Sequence, residues 1–159
     1  MDSGIYKKQF YLRDLTFNDS DLLFTYKILI KRLEKKETII DFITNTKIPT
    51  YEEHVANLKA KFKHLKIMMI NDISVGFISI DNNNFFGFFY DFSQLKLAFK
   101  EYNIKPKQFD QTTHYLILLK NLINEGQSLF AYISPENHLS NKGCKKVFKH
   151  IANLYGYRK

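Results

Sequence analysis

The chain opens its last third with an unbroken apolar run that alternates aliphatic and aromatic side chains. This run, residues 129–133, predicts a strand that is buried on both faces. Pro135 follows and removes a backbone donor, which ends strand pairing. Ser140 offers an oxygen to the first N–H groups of a helix predicted over residues 141–152. The pattern therefore predicts a strand, a tight exit and a capped helix in succession.

Elsewhere apolar residues recur with either the strand period of two or the helix period of 3.6. The strand period marks residues 10–15, a hairpin of 66–70 and 74–80, and an aromatic strand over 85–92. The helix period marks residues 21–37, a segment starting at 51, a short piece near 95–102 and a long helix over 107–124. This order predicts an α+β fold with a mixed central sheet and helices on both faces, in one domain spanning residues 1–159.

Turn and cap residues fix several boundaries of these elements. Asp19 or Ser20 is placed to cap the first helix, whose inward face is predicted to include Leu23. Thr50 and Glu53 stand three residues apart and predict a capping box. Turn residues at 71–72 predict the hairpin, and a glycine at 126 predicts the end of the long helix.

Composition is that of a compact chain. It has 159 residues, 45% of them hydrophobic, and no segment approaches the roughly 20 apolar residues that cross a bilayer. One cysteine allows no internal disulfide, and the start lacks the apolar core of a signal peptide. We therefore expect a cytoplasmic location, no membrane association, no metal site, and a monomer or homodimer.

The net charge of +8 suits a phosphate-rich ligand, nucleic acid or an anionic surface. Residues 85–92 contain six aromatic side chains, which resemble the stacking surfaces of single-strand binders. Those binders place Lys or Arg between their aromatics, and residues 85–92 contain neither. We therefore expect the aromatics to form core and pocket wall, with a nucleic-acid-binding module as an alternative and no nucleic acid as the expected partner.

Four residues give the chain a family likeness. Asn137, Ser140, Lys146 and Phe148 resemble the Asn-x-x-Ser and Lys-x-Gly-Phe signature of the GNAT (Gcn5-related) N-acetyltransferases. The order of the upstream pieces is similar to the bacterial branch that acylates amino sugars.

The resemblance implies acetyl-CoA (coenzyme A) as the acyl donor and a small amine, such as an amino-sugar nucleotide, as the acceptor. In that family two neighbouring strands splay apart and admit the pantetheine arm. Here the splayed pair would be residues 85–92 and 129–133. The residues that would bind the cofactor are Phe89, Tyr90, Asp91, Lys105, Lys107, Gln108, Asn137, Ser140, Cys144 and Lys146.

Two departures from the family pattern affect the chemistry. The family's glycine-rich pyrophosphate loop, Gln/Arg-x-x-Gly-x-Gly/Ala, has no counterpart in residues 90–110, which contain no glycine. Lys105 and Lys107 would then bind phosphate by charge, or would only solvate the loop. The tyrosine that often protonates the leaving thiolate is replaced by Cys144, which also fits a small core residue.

Three residues are candidates for acid–base chemistry. Asp91, beside the expected thioester, is the preferred base, although it could also cap the loop. His54 is a second candidate that could equally be a hydrogen-bonded core residue. Tyr155 lies in the tail 148–155, which is similar to the closing strand of that family, and would supply the acid. The alternative that keeps the fold is a non-catalytic scaffold that binds acyl-CoA.

Overall fold

The computed structural model describes residues 9–34, 48–105, 110–131 and 138–148. Within these ranges it contains four strands and five helices. The strands are β1 (Phe10–Asp14), β2 (Phe62–Ile70), β3 (Ile73–Asp81) and β4 (Phe86–Tyr90). The helices are α1 (Asp19–Glu34), α2 (Tyr51–Lys61), α3 (Phe92–Glu101), α4 (Gln111–Lys120) and α5 (His138–Val147). No helix in the described ranges is both long enough and apolar enough to cross a membrane.

The four strands form one antiparallel sheet in the order β1-β2-β3-β4. The predicted hairpin joins β2 to β3 through Asn71, whose φ of 50° lies in the left-handed region that asparagine tolerates. The mixed sheet that the sequence predicted is thus antiparallel over its four named strands. A single parallel bridge, between Phe85 and Phe130, adds to it. The α+β class is confirmed.

Each face of the sheet packs on its own layer of helices. Leu22 and Ile28 of α1 and Leu58 of α2 form one core with β2 and β3. Leu95 of α3 and Tyr115 of α4 belong to a second core on the opposite face. The period-2 alternation of the strands explains this two-sided burial, and the prediction of helices on both faces is confirmed.

A β-bulge interrupts the alternation of β3. Met68 pairs with Gly76 and Met69 pairs with Ser74, so Val75 has no opposite residue. The bulge turns Val75 toward the core of α3 and α4. Gly76 is needed at the next position, since a Cβ there would lie 2.2 Å from the carbonyl oxygen of Phe89 in β4.

Helix α1 starts differently from the prediction. The Asn18 side chain accepts the backbone N–H of Asp21 at 2.9 Å, so neither Asp19 nor Ser20 performs that role. The buried face of α1 follows Leu22, Thr25 and Ile28, and Leu23 is 43% exposed. The prediction that Leu23 faces inward is therefore wrong.

The remaining helix ends agree with the sequence in part. The capping box of Thr50 and Glu53 is confirmed, with both reciprocal hydrogen bonds present at the start of α2. Helix α4 begins at Gln111, four residues later than predicted, and ends at Lys120. The left-handed Gly126, with a φ of 85°, lies in the loop beyond it. Asp110 determines the start because its side chain accepts the N–H of Thr113.

A charged cluster ties β1 to the start of α1. The Arg13 guanidinium donates to both carboxylate oxygens of Asp21 at 2.7 Å. Thr16 adds its backbone N–H at 2.8 Å and its hydroxyl at 2.9 Å to one of those oxygens. The hydrogen bonds from Arg13 lower the pKa of Asp21 to about 2 and outweigh the opposing effect of burial.

We expect Asp21→Asn to lower the free energy of unfolding by about 1–3 kcal/mol at pH 7, because it leaves buried donors poorly matched. The ionised carboxylate stabilises the fold above its ordinary pKa of 3.8, and that contribution is lost as the pH falls through about 2. Urea unfolding at pH 7 measures the first effect, and urea unfolding from pH 6 down to about pH 2 measures the second. The exposed Glu125→Gln variant is the control, and an unchanged pH slope in Asp21→Asn contradicts the prediction.

Candidate site at the open edge of strand β4

The outer edge of β4 is paired at its beginning. Phe86 donates its backbone N–H to the carbonyl of Phe130 at 2.8 Å, and Phe130 donates to the carbonyl of Asn84 at 2.9 Å. These bonds form the parallel bridge between Phe85 and Phe130. Phe130 is 39% exposed, so the predicted burial of this segment on both faces is wrong at that residue.

Beyond Phe86 the edge turns polar groups outward. Asp81 pairs with the carbonyl of Phe85 and Asp91 with that of Val75, which fixes the alternation along β4. Antiparallel geometry then directs the backbone N–H and C=O groups of Phe88 and Tyr90 away from β3. In the described part of the chain no backbone group pairs with these outward groups.

The aromatic side chains of β4 divide between the two faces of the sheet. Phe86, Phe88 and Tyr90 pack against the core of α3 and α4, and the Phe86 ring stacks on Phe148 with centroids 5.0 Å apart. Phe89 packs on the opposite face, with its ring centroid 4.8 Å from that of Phe77. The side chains of β4 thus pack against the two cores, as the sequence predicted, and their role as a pocket wall stays a prediction.

The first turn of α4 lies beside the end of β4. The hydroxyl oxygens of Tyr90 and Thr112 are 3.1 Å apart. Burial, the largest effect, raises the pKa of the Tyr90 phenol, which therefore stays neutral. A Cβ on Gly143 would lie 3.0 Å from the Thr112 methyl group, so α5 approaches α4 closely here. β4, α4 and α5 therefore meet at one corner.

An acidic residue occupies the N-terminus of α4 at that corner. The Asp110 carboxylate accepts from the backbone N–H and hydroxyl of Thr113 at 3.1 and 2.8 Å. Lys146 of α5 donates to the same carboxylate at 2.9 Å. Burial alone would raise the pKa of Asp110, but the hydrogen bonds from Lys146 and Thr113 lower it below its usual value. Lys146, a predicted cofactor residue, is thus paired with Asp110.

Asp91 caps α3. Its carboxylate accepts the N–H groups of Ser93 and Gln94 at 3.1 and 3.2 Å, with the Lys31 ammonium at 3.8 Å. Asp91 also lines an open depression of about 540 Å³ between α1 and α3. The cap was one of the two roles expected from the sequence, and a role as general base stays a prediction.

His54 is buried between the two helices of the opposite face. It is 5% exposed, and its Nε2 lies 2.9 Å from the hydroxyl oxygen of Thr25. Its ring also contacts Tyr26, with centroids 5.4 Å apart. Burial lowers the pKa of His54, which keeps the ring neutral. This is the hydrogen-bonded core histidine that the sequence allowed as an alternative, and catalysis by His54 stays a prediction.

Of the other predicted site residues, three lie within the described part of the chain and four lie outside it. Burial raises the pKa of the Cys144 thiol to about 11, and Lys105 is exposed. Helix α5 begins at His138, so Ser140 lies inside it and the prediction that Ser140 caps the helix is wrong. Lys107, Gln108, Asn137 and Tyr155 lie outside the described residues.

Sequence reasoning missed two residues at this corner and one on the opposite face. Asp110 carried a signal, because an Asp two residues before a Thr pair is typical of a helix start. Thr112 gave none, since its contact with Tyr90 is tertiary. Arg32 of α1 places its guanidinium carbon 4.2 Å from the Phe89 ring centroid, which no local pattern indicates.

Comparison with models of known protein families, with curated proteins and with solved structures returned no match for this chain.

We expect Thr25→Val to lower the free energy of unfolding by about 1–3 kcal/mol, because it leaves the buried His54 ring without its hydrogen-bond partner. Thr25→Ser is the matched control: it retains the hydroxyl and loses one methyl group, worth about 0.8 kcal/mol. Urea unfolding at pH 7 compares the two variants. A Thr25→Val protein as stable as Thr25→Ser would show that the bond does not hold His54 in the core.

Proposed function

We propose that this chain is an N-acyltransferase of the GNAT type, which transfers an acetyl group from acetyl-CoA to the primary amine of a small acceptor. The order of elements supports the proposal. A strand, two helices and three antiparallel strands come first, and helices and a segment parallel to the last strand follow. The motif residues that resemble the family follow this segment in the sequence.

One observation supports this function best: the parallel bridge holds the segment at Phe130 against the beginning of β4, and the described edge beyond it turns its polar groups outward. An extended chain of amides can add to such an edge as a further strand. The pantetheine arm of coenzyme A is a chain of this kind. Phe88 and Tyr90 would provide its backbone partners.

Acetyl-CoA supplies a thioester whose carbonyl carbon an amine can attack. The outward backbone N–H groups of β4 would donate to developing negative charge on that carbonyl oxygen. The acceptor ammonium must lose a proton to a base, for which Asp91 is the candidate at the end of the same strand. Tyr155 remains the candidate donor to the leaving thiolate, and His54 a second base candidate.

The fit is incomplete at the diphosphate of coenzyme A. A helix N-terminus binds phosphate through free N–H groups, yet Asp91 and Asp110 fill those of α3 and α4 with carboxylates. A bound diphosphate would have to displace Asp110 or lie beside it, using Lys146 as the cation. Lys105 and Lys107 would add charge from the preceding loop.

These filled helix ends favour one second candidate, a non-catalytic scaffold that binds acyl-CoA or a partner. A nucleic-acid-binding module is less well supported, because the β4 aromatics pack into the two cores. For the enzyme, the proposed acceptor is an amino-sugar nucleotide, and the proposed location is the cytoplasm.

Isothermal titration with acetyl-CoA tests the proposal, with a short single-stranded oligonucleotide as the competing ligand. We expect micromolar binding of acetyl-CoA and no binding of the oligonucleotide. Thiol release in the presence of a panel of amines then separates enzyme from scaffold. Binding of the oligonucleotide alone would refute both the enzyme and the scaffold.

We expect Asp110→Asn to raise the affinity for acetyl-CoA about threefold to tenfold, which corresponds to roughly 0.7–1.4 kcal/mol. Asparagine still caps the helix, but it no longer repels a diphosphate or engages Lys146 as an ion. Lys146→Gln should act in the opposite direction, and the exposed Glu125→Gln variant should change nothing. Equal affinities for Asp110→Asn and the unmodified chain would place the diphosphate away from α4.

A further inference from the structure

Arg32 is a cation without a counter-ion in the described structure. It lies in the last turn of α1, is largely shielded from solvent, and rests over the Phe89 ring at 4.2 Å. No described residue forms an ion pair or hydrogen bond with its guanidinium. Burial lowers the pKa of Arg32.

Four other cations near the sheet and the helices lie against a carboxylate. Arg13 bonds Asp21, Lys146 bonds Asp110, and Lys66 contacts Asp14. Lys31, the neighbour of Arg32, lies 3.8 Å from Asp91. A partly desolvated guanidinium is costly unless an anion or hydrogen-bond acceptor meets it. The ring of Phe89 and the C-terminal end of α1 compensate in part, without a hydrogen bond from the guanidinium to a described residue.

The position of Arg32 relates it to the open edge. Phe89 stands between Phe88 and Tyr90, whose backbone groups point outward from β4. Its side chain projects to the opposite face from theirs, toward α1. A small molecule whose reactive group lies at the β4 edge can therefore contact Arg32 with another of its groups. That contact lies on the face of the sheet away from α4 and α5.

We propose that Arg32 binds a phosphate group of the acceptor amine, and so selects phosphorylated amines, amino-sugar phosphates above all, as substrates. This inference rests on the proposed acyltransferase function, because it assigns the acceptor side of the same site. The planar guanidinium fork matches two phosphate oxygens at once, and stacking on Phe89 fixes its plane. The net charge of +8 also favours an anionic acceptor over a cationic polyamine.

Two acceptors that differ by one phosphate test the proposal. Acetyl-CoA-dependent thiol release is measured with glucosamine and with glucosamine 1-phosphate, in the unmodified chain and in Arg32→Gln. We expect Arg32→Gln to lower kcat/KM for glucosamine 1-phosphate by roughly 30-fold and to leave glucosamine within about twofold. The matched control is Lys59→Gln. Lys59 lies on α2, with its ammonium 5.7 Å from the centroid of the Phe17 ring, and its replacement should change kcat/KM for neither acceptor.

A second measurement separates this inference from the acyltransferase proposal. Titration with glucosamine 1-phosphate in the absence of acetyl-CoA should show binding that Arg32→Gln weakens by roughly 30-fold and Arg32→Lys by less. Loss of acetyl-CoA binding with this pattern intact refutes the acyltransferase and retains the phosphate site. Equal binding of glucosamine 1-phosphate by the unmodified chain and Arg32→Gln, or no binding by either, refutes the phosphate site.

The melting temperature of an Arg32 variant distinguishes a phosphate-binding arginine from a purely structural one. We expect Arg32→Met to raise the melting temperature, because an apolar side chain of similar length removes an unpaired charge from a shielded place. The same variant should lose affinity for glucosamine 1-phosphate. A lower melting temperature with unchanged affinity would show that Arg32 serves packing alone, and would overturn the proposal.

Discussion

The backbone of β4 must satisfy its hydrogen bonds on two sides, and the rest of the candidate site follows from how it does so. Its inner side is bound to β3 throughout. Its outer side has a described partner at Phe86 and then presents the groups of Phe88 and Tyr90 outward. Exposed strand edges are reactive toward any extended chain, so proteins cover them or use them. The proposed function is a use of this edge.

The edge has two chemically different faces. On one face Tyr90, Thr112 and α5 form a neutral, aromatic wall with the Asp110–Lys146 pair at its entrance. On the other face Arg32 covers Phe89. A donor and an acceptor that approach from opposite faces would meet at the backbone between them. In the proposed reaction, this division would give each phosphate-bearing ligand its own cation.

Local rules predicted the elements whose signals are local. The capping box at Thr50 and the turn at Asn71 are confirmed, because each depends on residues within one turn of chain. The phase of α1 was wrong at Leu23, since the buried face is set by packing against β2 and β3 rather than by composition. The start of α5 was predicted three residues too late, at residue 141, because the helix begins at His138.

The candidate site was less accessible to sequence reasoning than the fold. The contacts Tyr90–Thr112 and Lys146–Asp110 join residues 22 and 36 positions apart, and no periodicity reports such pairs. Asp91 shows a different limit of sequence reasoning, because a carboxylate beside a helix start is compatible with both a helix cap and a general base. Geometry establishes the cap, whereas the proton transfer depends on a ligand.

The close approach at Gly143 has a mechanical consequence. The α5 backbone rests on the Thr112 methyl group, and the Thr112 hydroxyl meets Tyr90. Any side chain at position 143 would displace Thr112, and this displacement would shift Tyr90 and with it strand β4. The spacing of two helices is thereby transmitted to a strand that α5 need not touch at that point. A substitution at position 143 of α5 would thus alter the geometry of the β4 edge indirectly.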